Sequence, residues 1–352
     1  MMVRTGWRRQ KQCWINTLRF ITSIDEIGLM SLRPSTAEME SSLSIIREFL
    51  SITPLNIESD LSTLTETTTY VKHEYKSPVN SFKARGALTL VHSLSRSGDV
   101  TKVITASTGN HGSAMAYACQ KFDLPITVVV PEGADESKVA LIRKFDADLQ
   151  FLGRDLDEAK NQILEWTLPK GHLFIEDGAV PEIVVGTATI GYEIAQQIDE
   201  NLDVVIVPVG NGSLISGIGT ALKEKNPSTR VISVQSEEAP CMTYSFHEKK
   251  PVNTDSCNTF AGGIAVRVAI PQAVDLMLDV VDDAILVSEN DLKRAMGLFF
   301  NNVGVLVEGA GAAALAGALK LKDDLKGKSI CLLATGCNVD SFLEQEILRD
   351  YV

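Results

Sequence analysis

A chain of 352 residues that is 45% hydrophobic and carries a formal net charge of −12 can bury a large core and has the length of two domains rather than one. The negative balance argues against a general attraction to nucleic acid or anionic membrane, and no apolar run approaches the roughly 18 residues a spanning helix requires. Small molecules are the expected partners. The six cysteines, Cys13, Cys119, Cys241, Cys257, Cys331 and Cys337, lack C-x-x-C spacing, which points to reduced thiols in the cytoplasm, with no disulfides and no metal site.

Residues 1–29 stand apart, because Arg4, Arg8, Arg9, Lys11 and Arg19 come before the first acid, Asp25. They read either as an Arg-rich mitochondrial transit peptide or as sequence upstream of a start at Met30. Residues 1–34 are expected to form a poorly ordered extension. A helical pattern begins near Ser35 and stops before Pro54, since the residue preceding a proline is biased out of the helical region. Residues 67–74 are rich in β-formers, and 82–95 read as a helix.

An alternation of short apolar runs and helical stretches follows. Runs at 103–106, 126–130 and 149–152 are followed by helical patterns at 111–122, 137–145 and 156–166. A second series has helical patterns at 187–198, 214–225, 289–301 and 309–319, with buried-strand runs at 204–209, 231–234, 284–287 and 330–334. Strands alternating with helices of this length argue for parallel sheets in βαβ units. The expectation is an α/β protein of two intercalated open twisted sheets. Residues 35–102 and 182–352 make up the large domain and 103–181 the small one.

Four stretches carry candidate chemistry. In Ser77-Pro78-Val79-Asn80-Ser81-Phe82-Lys83-Ala84-Arg85-Gly86-Ala87, a turn sets a lysine beside an aromatic ring at the start of a helix, as a Schiff-base lysine requires. On its own, such a lysine is more often a solvated surface cation. The loop Gly210-Asn211-Gly212-Ser213-Leu214 joins a buried strand to a helix, where backbone N–H groups and the helix dipole attract a phosphate. It also reads as a plain tight turn or as part of a dinucleotide fingerprint, although Ile215 stands where the third glycine belongs; Glu237, close after the next strand run, keeps that rival open.

Ser107-Thr108-Gly109-Asn110-His111 likewise precedes a helix and suits a substrate carboxylate. Its plain alternative is a helix cap through Ser107 or Asn110, with His111 a buried and satisfied histidine. Thr335-Gly336-Cys337-Asn338 follows the last strand, at the edge where open α/β sheets bind ligands.

These stretches, with Thr53-Pro54-Leu55, Ala261-Gly262-Gly263-Ile264 and Glu308-Gly309-Ala310-Gly311-Ala312, resemble the serine/threonine dehydratases, pyridoxal-phosphate enzymes of the tryptophan-synthase-β fold type. The resemblance covers roughly residues 40 to 345. It implies that Lys83 holds pyridoxal 5'-phosphate as a Schiff base, beside Phe82, and acts as the base at the substrate Cα. It implies a phosphate cradle at Gly210, Asn211, Gly212, Ser213 and Leu214, and Asn110 at the ring hydroxyl. Ser107, Thr108, Gly109, Asn110 and His111 take the substrate carboxylate. Thr335 would meet the pyridine nitrogen with a neutral hydroxyl and so favour β-elimination over transamination.

The chain departs from the family at Asn211 and Ser213, which interrupt the glycine run, and at Cys337, where a glycine is usual. Gln235 stands where members with a divalent-metal site carry a glutamate, and a neutral amide is a poor ligand for a hard cation. With only a short stretch after the last loop, an appended regulatory domain is not expected. The implied activity is dehydration and deamination of a β-hydroxy amino acid: L-threonine, L-serine or 3-hydroxyaspartate. A homodimer is the expected assembly. A racemase or β-replacement synthase of the same fold, and a non-catalytic nucleotide-binding protein, are the alternatives.

Overall fold

The computed structural model describes residues 33–352 apart from Ala179 and Glu200. All but the last two residues of the expected extension over 1–34 lie outside that range, as does Cys13. In chain order the strands are β1 (Leu55–Ile57), β2 (Thr68–His73), β3 (Lys102–Ala106), β4 (Ile126–Val130), β5 (Asp148–Phe151), β6 (His172–Phe174), β7 (Val204–Pro208), β8 (Arg230–Ser236), β9 (Asp283–Val287) and β10 (Ser329–Ala334). They form a six-stranded sheet in the order β1-β2-β10-β7-β8-β9 and a four-stranded sheet in the order β5-β4-β3-β6. Only β1 runs antiparallel to its neighbour.

The strand interiors explain why the sheets are parallel. Ile126–Val130 and Val204–Pro208 are buried along their whole lengths, as strands covered by helices on both faces must be. The helix Thr36–Arg47 starts on a capping box, in which Ser35 accepts from the Glu38 N–H and the Glu38 carboxylate accepts from the Ser35 N–H, so two orphan donors are satisfied at once. Helix Pro181–Gln197 begins six residues before the helical pattern at 187–198, with Pro181 in the first turn, where its missing N–H costs nothing. Strand β1 and the helices Cys241–Glu248, Pro271–Val280 and Ser341–Asp350 were not expected from the pattern.

The turn that ends in Lys83 crosses between the two layers. Strand β2 belongs to the six-stranded sheet. Helix Lys83–Ser97, which follows, buries Ala87, Leu88 and Val91 in one apolar cluster with Val103, Met115 and Val128 of the four-stranded sheet and its helix. Cys119, Cys241, Cys257, Cys331 and Cys337 are free thiols. No described helix is long and apolar enough to cross a membrane.

Candidate active site

Each candidate loop follows the carboxyl end of a parallel strand, where open α/β sheets bind ligands. Gly210–Leu214 follows β7 and Thr335 follows β10; Ser107–His111 follows β3 in the other sheet. The Lys83 turn is tied to the β10 loop through its backbone. The Phe82 N–H donates to Thr335 O at 2.9 Å, Ser81 bridges Gly336, and the Cys337 N–H donates to Asn80 O at 3.0 Å. Lys83 Nζ lies 5.5 Å from the centre of the Phe82 ring.

The two sheets meet at Asp177, just beyond β6, a residue that sequence reasoning missed. Lys83 Nζ donates to Asp177 Oδ2 at 2.8 Å, and Asn211 Nδ2 donates to Asp177 Oδ1 at 3.2 Å. His111 Nδ1 stands 3.7 Å from the same Oδ1. One carboxylate therefore joins the lysine, the proposed phosphate loop and the proposed substrate loop. A second bridge runs through Asn110, whose Nδ2 donates to Glu308 Oε1 and whose Oδ1 accepts from Asn338 Nδ2, both at 2.7 Å. Gly336 makes room for this contact, because a Cβ there would lie 2.6 Å from Glu308 Oε1.

Two of the simpler sequence readings are corrected here. Helix Asn110–Lys121 is capped by Gly109 with no side-chain bond, and the Ser107 hydroxyl instead accepts from the Gly109 N–H at 3.2 Å. His111 is buried but not satisfied, since Nε2 has no hydrogen-bond partner among the described residues. Leu214 can offer the site only its backbone, because its side chain lies in the core with Val207, Met242 and Ala273.

Burial works against charge throughout the site. It pushes the His111 imidazole down to about 4, although Asp177 opposes it. Burial would also raise the Asp177 carboxyl, but Lys83 and His111 overcome that and hold it well below the usual carboxylate range. The Glu308 carboxyl is pushed up to about 7 by burial, against the bond from Asn110 and the Lys83 charge. The site thus holds one firm anion and one carboxyl poised near neutrality.

Arg85, two residues past Lys83, belongs to a different cluster. Its Nε and Nη2 bond Glu74 at 2.8 and 2.9 Å, and its Nη1 and Nη2 each bond Glu193 at 2.8 Å. Lys72 Nζ bonds Glu193 Oε2 at 2.7 Å, Gln197 Oε1 at 2.6 Å and Thr53 O at 3.0 Å. Thr53 Oγ1 donates to Glu74 at 2.6 Å. The Thr53 motif therefore serves the scaffold behind Lys83, together with Arg85.

Comparison with known proteins supplies the family. Residues 46–336 match the family described as pyridoxal-phosphate dependent enzyme. The chain belongs to that family. It is 36% identical over 272 residues to the L-threonine ammonia-lyase of Geobacter sulfurreducens, covering 77% of this chain and 67% of that one. It is 33% identical over 310 residues to the catabolic L-threonine dehydratase of Staphylococcus aureus, covering 87% and 89%. The match to the biosynthetic L-threonine dehydratase of Escherichia coli spans 58% of that protein's length. Among solved structures, the processed form of threonine deaminase isoform 2 from Solanum lycopersicum superposes with a TM-score of 0.82 at 30% identity, covering 91% and 95% of the two chains. The fold is the expected tryptophan-synthase-β type, and pyridoxal 5'-phosphate is the cofactor of this family member.

The residues present fit that cofactor. Lys83 offers a partly exposed amine at the junction of the sheets. Gly212, at φ 96°, caps helix Ser213–Lys225 with no side chain of its own; the Ser213 N–H donates to Asn211 Oδ1 at 3.1 Å, and the N–H groups that follow it in the first turn are the ones that face an anion. Gln235 has a separate task. Its Oε1 accepts from the Met242 and Thr243 N–H groups at 3.1 and 3.0 Å and so caps helix Cys241–Glu248. Among the described residues no group of three or more His, Cys, Asp or Glu is gathered as a metal would need.

Proposed function

We propose that this family member removes water from a β-hydroxy amino acid such as L-threonine and releases the 2-keto acid and ammonia. The observation that carries the reading is the position of Lys83 Nζ, which lies between the Gly210–Leu214 and Ser107–His111 loops and is joined to both through Asp177. In this reading, Lys83 holds the cofactor covalently and carries the proton at the substrate Cα. Gly210, Asn211, Gly212, Ser213 and the Leu214 N–H hold the phosphate. Asn110 orients the ring hydroxyl, and its amide is fixed for that by Glu308 and Asn338. Phe82 flanks the amine, and Thr335 presents a neutral hydroxyl to the pyridine nitrogen.

Ser107, Thr108, Gly109, Asn110 and His111 receive the substrate carboxylate at the N-terminus of helix Asn110–Lys121. When bound, the cofactor supplies an electron sink for the charge that develops at Cα. Loss of the Cα proton and the β-hydroxyl gives an enamine, and hydrolysis of its imine tautomer yields the keto acid and ammonia. The water lost in the first step is regained in the second.

The test is keto-acid release by the holoenzyme from L-threonine and L-serine, beside Lys83→Ala. Wild type should release keto acid, and the variant should lose activity by at least about 1,000-fold while keeping its fold. Accumulation of D-serine without keto acid, or full activity in Lys83→Ala, would overturn the reading.

A further inference from the structure

We infer that Asp177 sets the charge class of the substrate side chain: the site admits a neutral β-hydroxy side chain and turns away one that carries a second carboxylate. This rests on the function proposed above and narrows it. Asp177 Oδ2 lies 2.8 Å from Lys83 Nζ, the amine assigned to act at the substrate Cα. The carboxylate is therefore within one side chain's reach of the substituents on Cα and Cβ. About a third of its side chain remains exposed on that side chain's own surface, so it is reachable and not sealed in the core.

Among the described residues, the charges around Asp177 leave no cation for a second acid. His111 faces it from helix Asn110–Lys121, but burial holds that imidazole neutral at pH 7. Asn211 faces it from the β7 loop and contributes a neutral amide. Lys160, which acts on Asp177 from helix Leu156–Leu164, is bonded to Glu176 at 2.8 Å. Lys138 acts on Glu308. Arg85, close to Lys83 in the chain, is fully engaged by Glu74 and Glu193. Lys83 Nζ is the balancing cation, and once shared with the cofactor it cannot also neutralise Asp177 and a second substrate carboxylate. The substrate's own α-carboxylate goes to the Ser107–His111 loop. A further carboxylate on Cβ would meet Asp177 unscreened, and like charges within about 4–6 Å exclude a ligand as effectively as missing contacts.

The experiment compares L-threonine and L-serine with 3-hydroxyaspartate on the holoenzyme. It reads kcat/KM for keto-acid release and, separately, the dissociation constants from the change in absorbance of the bound cofactor. Wild type should favour the neutral substrates by at least about 100-fold. Asp177→Asn, which keeps the shape, and Asp177→Ser, which opens it, should each shift the ratio toward 3-hydroxyaspartate by about tenfold or more, in binding as well as turnover. A lost structural role would lower all three substrates together and leave the ratio in place. Wild-type preference for 3-hydroxyaspartate, or an unchanged ratio in folded variants that retain cofactor, overturns the inference and leaves the dehydratase reading standing. Inactivity of the cofactor-loaded wild type on all three substrates overturns both.

Discussion

Around Arg85, most buried charges are matched: all three guanidinium nitrogens are bonded, Lys72 Nζ has three acceptors, and Arg85, Lys72, Glu74 and Glu193 are each 1% exposed or less. Arg47 Nη2 also pairs with Glu193 at 2.7 Å, and Arg47 Nη1 is the one side-chain atom of this network left buried without a partner among the described residues. Around Lys83, two residues earlier, similar residue types are left incomplete. Lys83 and Asp177 keep part of their surface, His111 Nε2 and Ser81 Oγ are buried without partners among the described residues, and the Glu308 carboxyl is pushed up to about 7 by burial. Completed pairing fixes a scaffold, because removing either partner strands a buried charge. Incomplete pairing leaves groups able to change partner or proton, which chemistry at this site requires.

That contrast is broken most severely at Glu193. In Glu193→Ala the side chains of Arg85, Lys72 and Arg47 all lose an acceptor, and the loss should be about 3–5 kcal/mol, read as a fall in the unfolding midpoint in urea. Asp177→Asn, in the open cluster, should stay within about 1 kcal/mol of wild type. Equal destabilisation in the two variants would show that the clusters do not differ in kind.

A smaller effect separates the open cluster by pH. Burial raises Glu308 from 4.5 to about 7, so the folded chain binds that proton more tightly than the unfolded one. Its contribution is full below about pH 4.5 and is lost as pH rises through 7, by roughly 3 kcal/mol. His111 runs the other way. With its imidazole lowered from 6.5 to about 4, its contribution is full above about pH 6.5 and lost as pH falls toward 4. In the cofactor-stripped protein, Glu308→Gln should abolish the loss between pH 5 and 8 and leave the acid-side loss in place. An unchanged profile would remove Glu308 from the account.

How much of this could be read beforehand depended on how local the signal was. The run at 126–130 matched β4 to the residue because five β-formers lie between Pro125 and Pro131. The helix expected over 111–122 is offset by one residue at each end. Strand β1 escaped because it is a three-residue edge strand whose pattern is mostly exposed. The Lys83, Asn110, Asn211 and Thr335 loops were legible from their places after strand runs and from the family resemblance. Asp177 was not, since it follows a three-residue strand with no periodic pattern and matches no motif. Arg85 lay inside the Lys83 motif, but Glu193, 108 residues away in the chain, becomes its partner only through the fold.

The most direct test of the division between the two clusters is to reduce the holoenzyme with borohydride and map the modified peptide by mass. The account predicts cofactor fixed on Lys83 alone, in the incomplete cluster, with Lys72 unmodified behind Arg85. Label on Lys72 or any other lysine, or none on a cofactor-saturated protein, would contradict it.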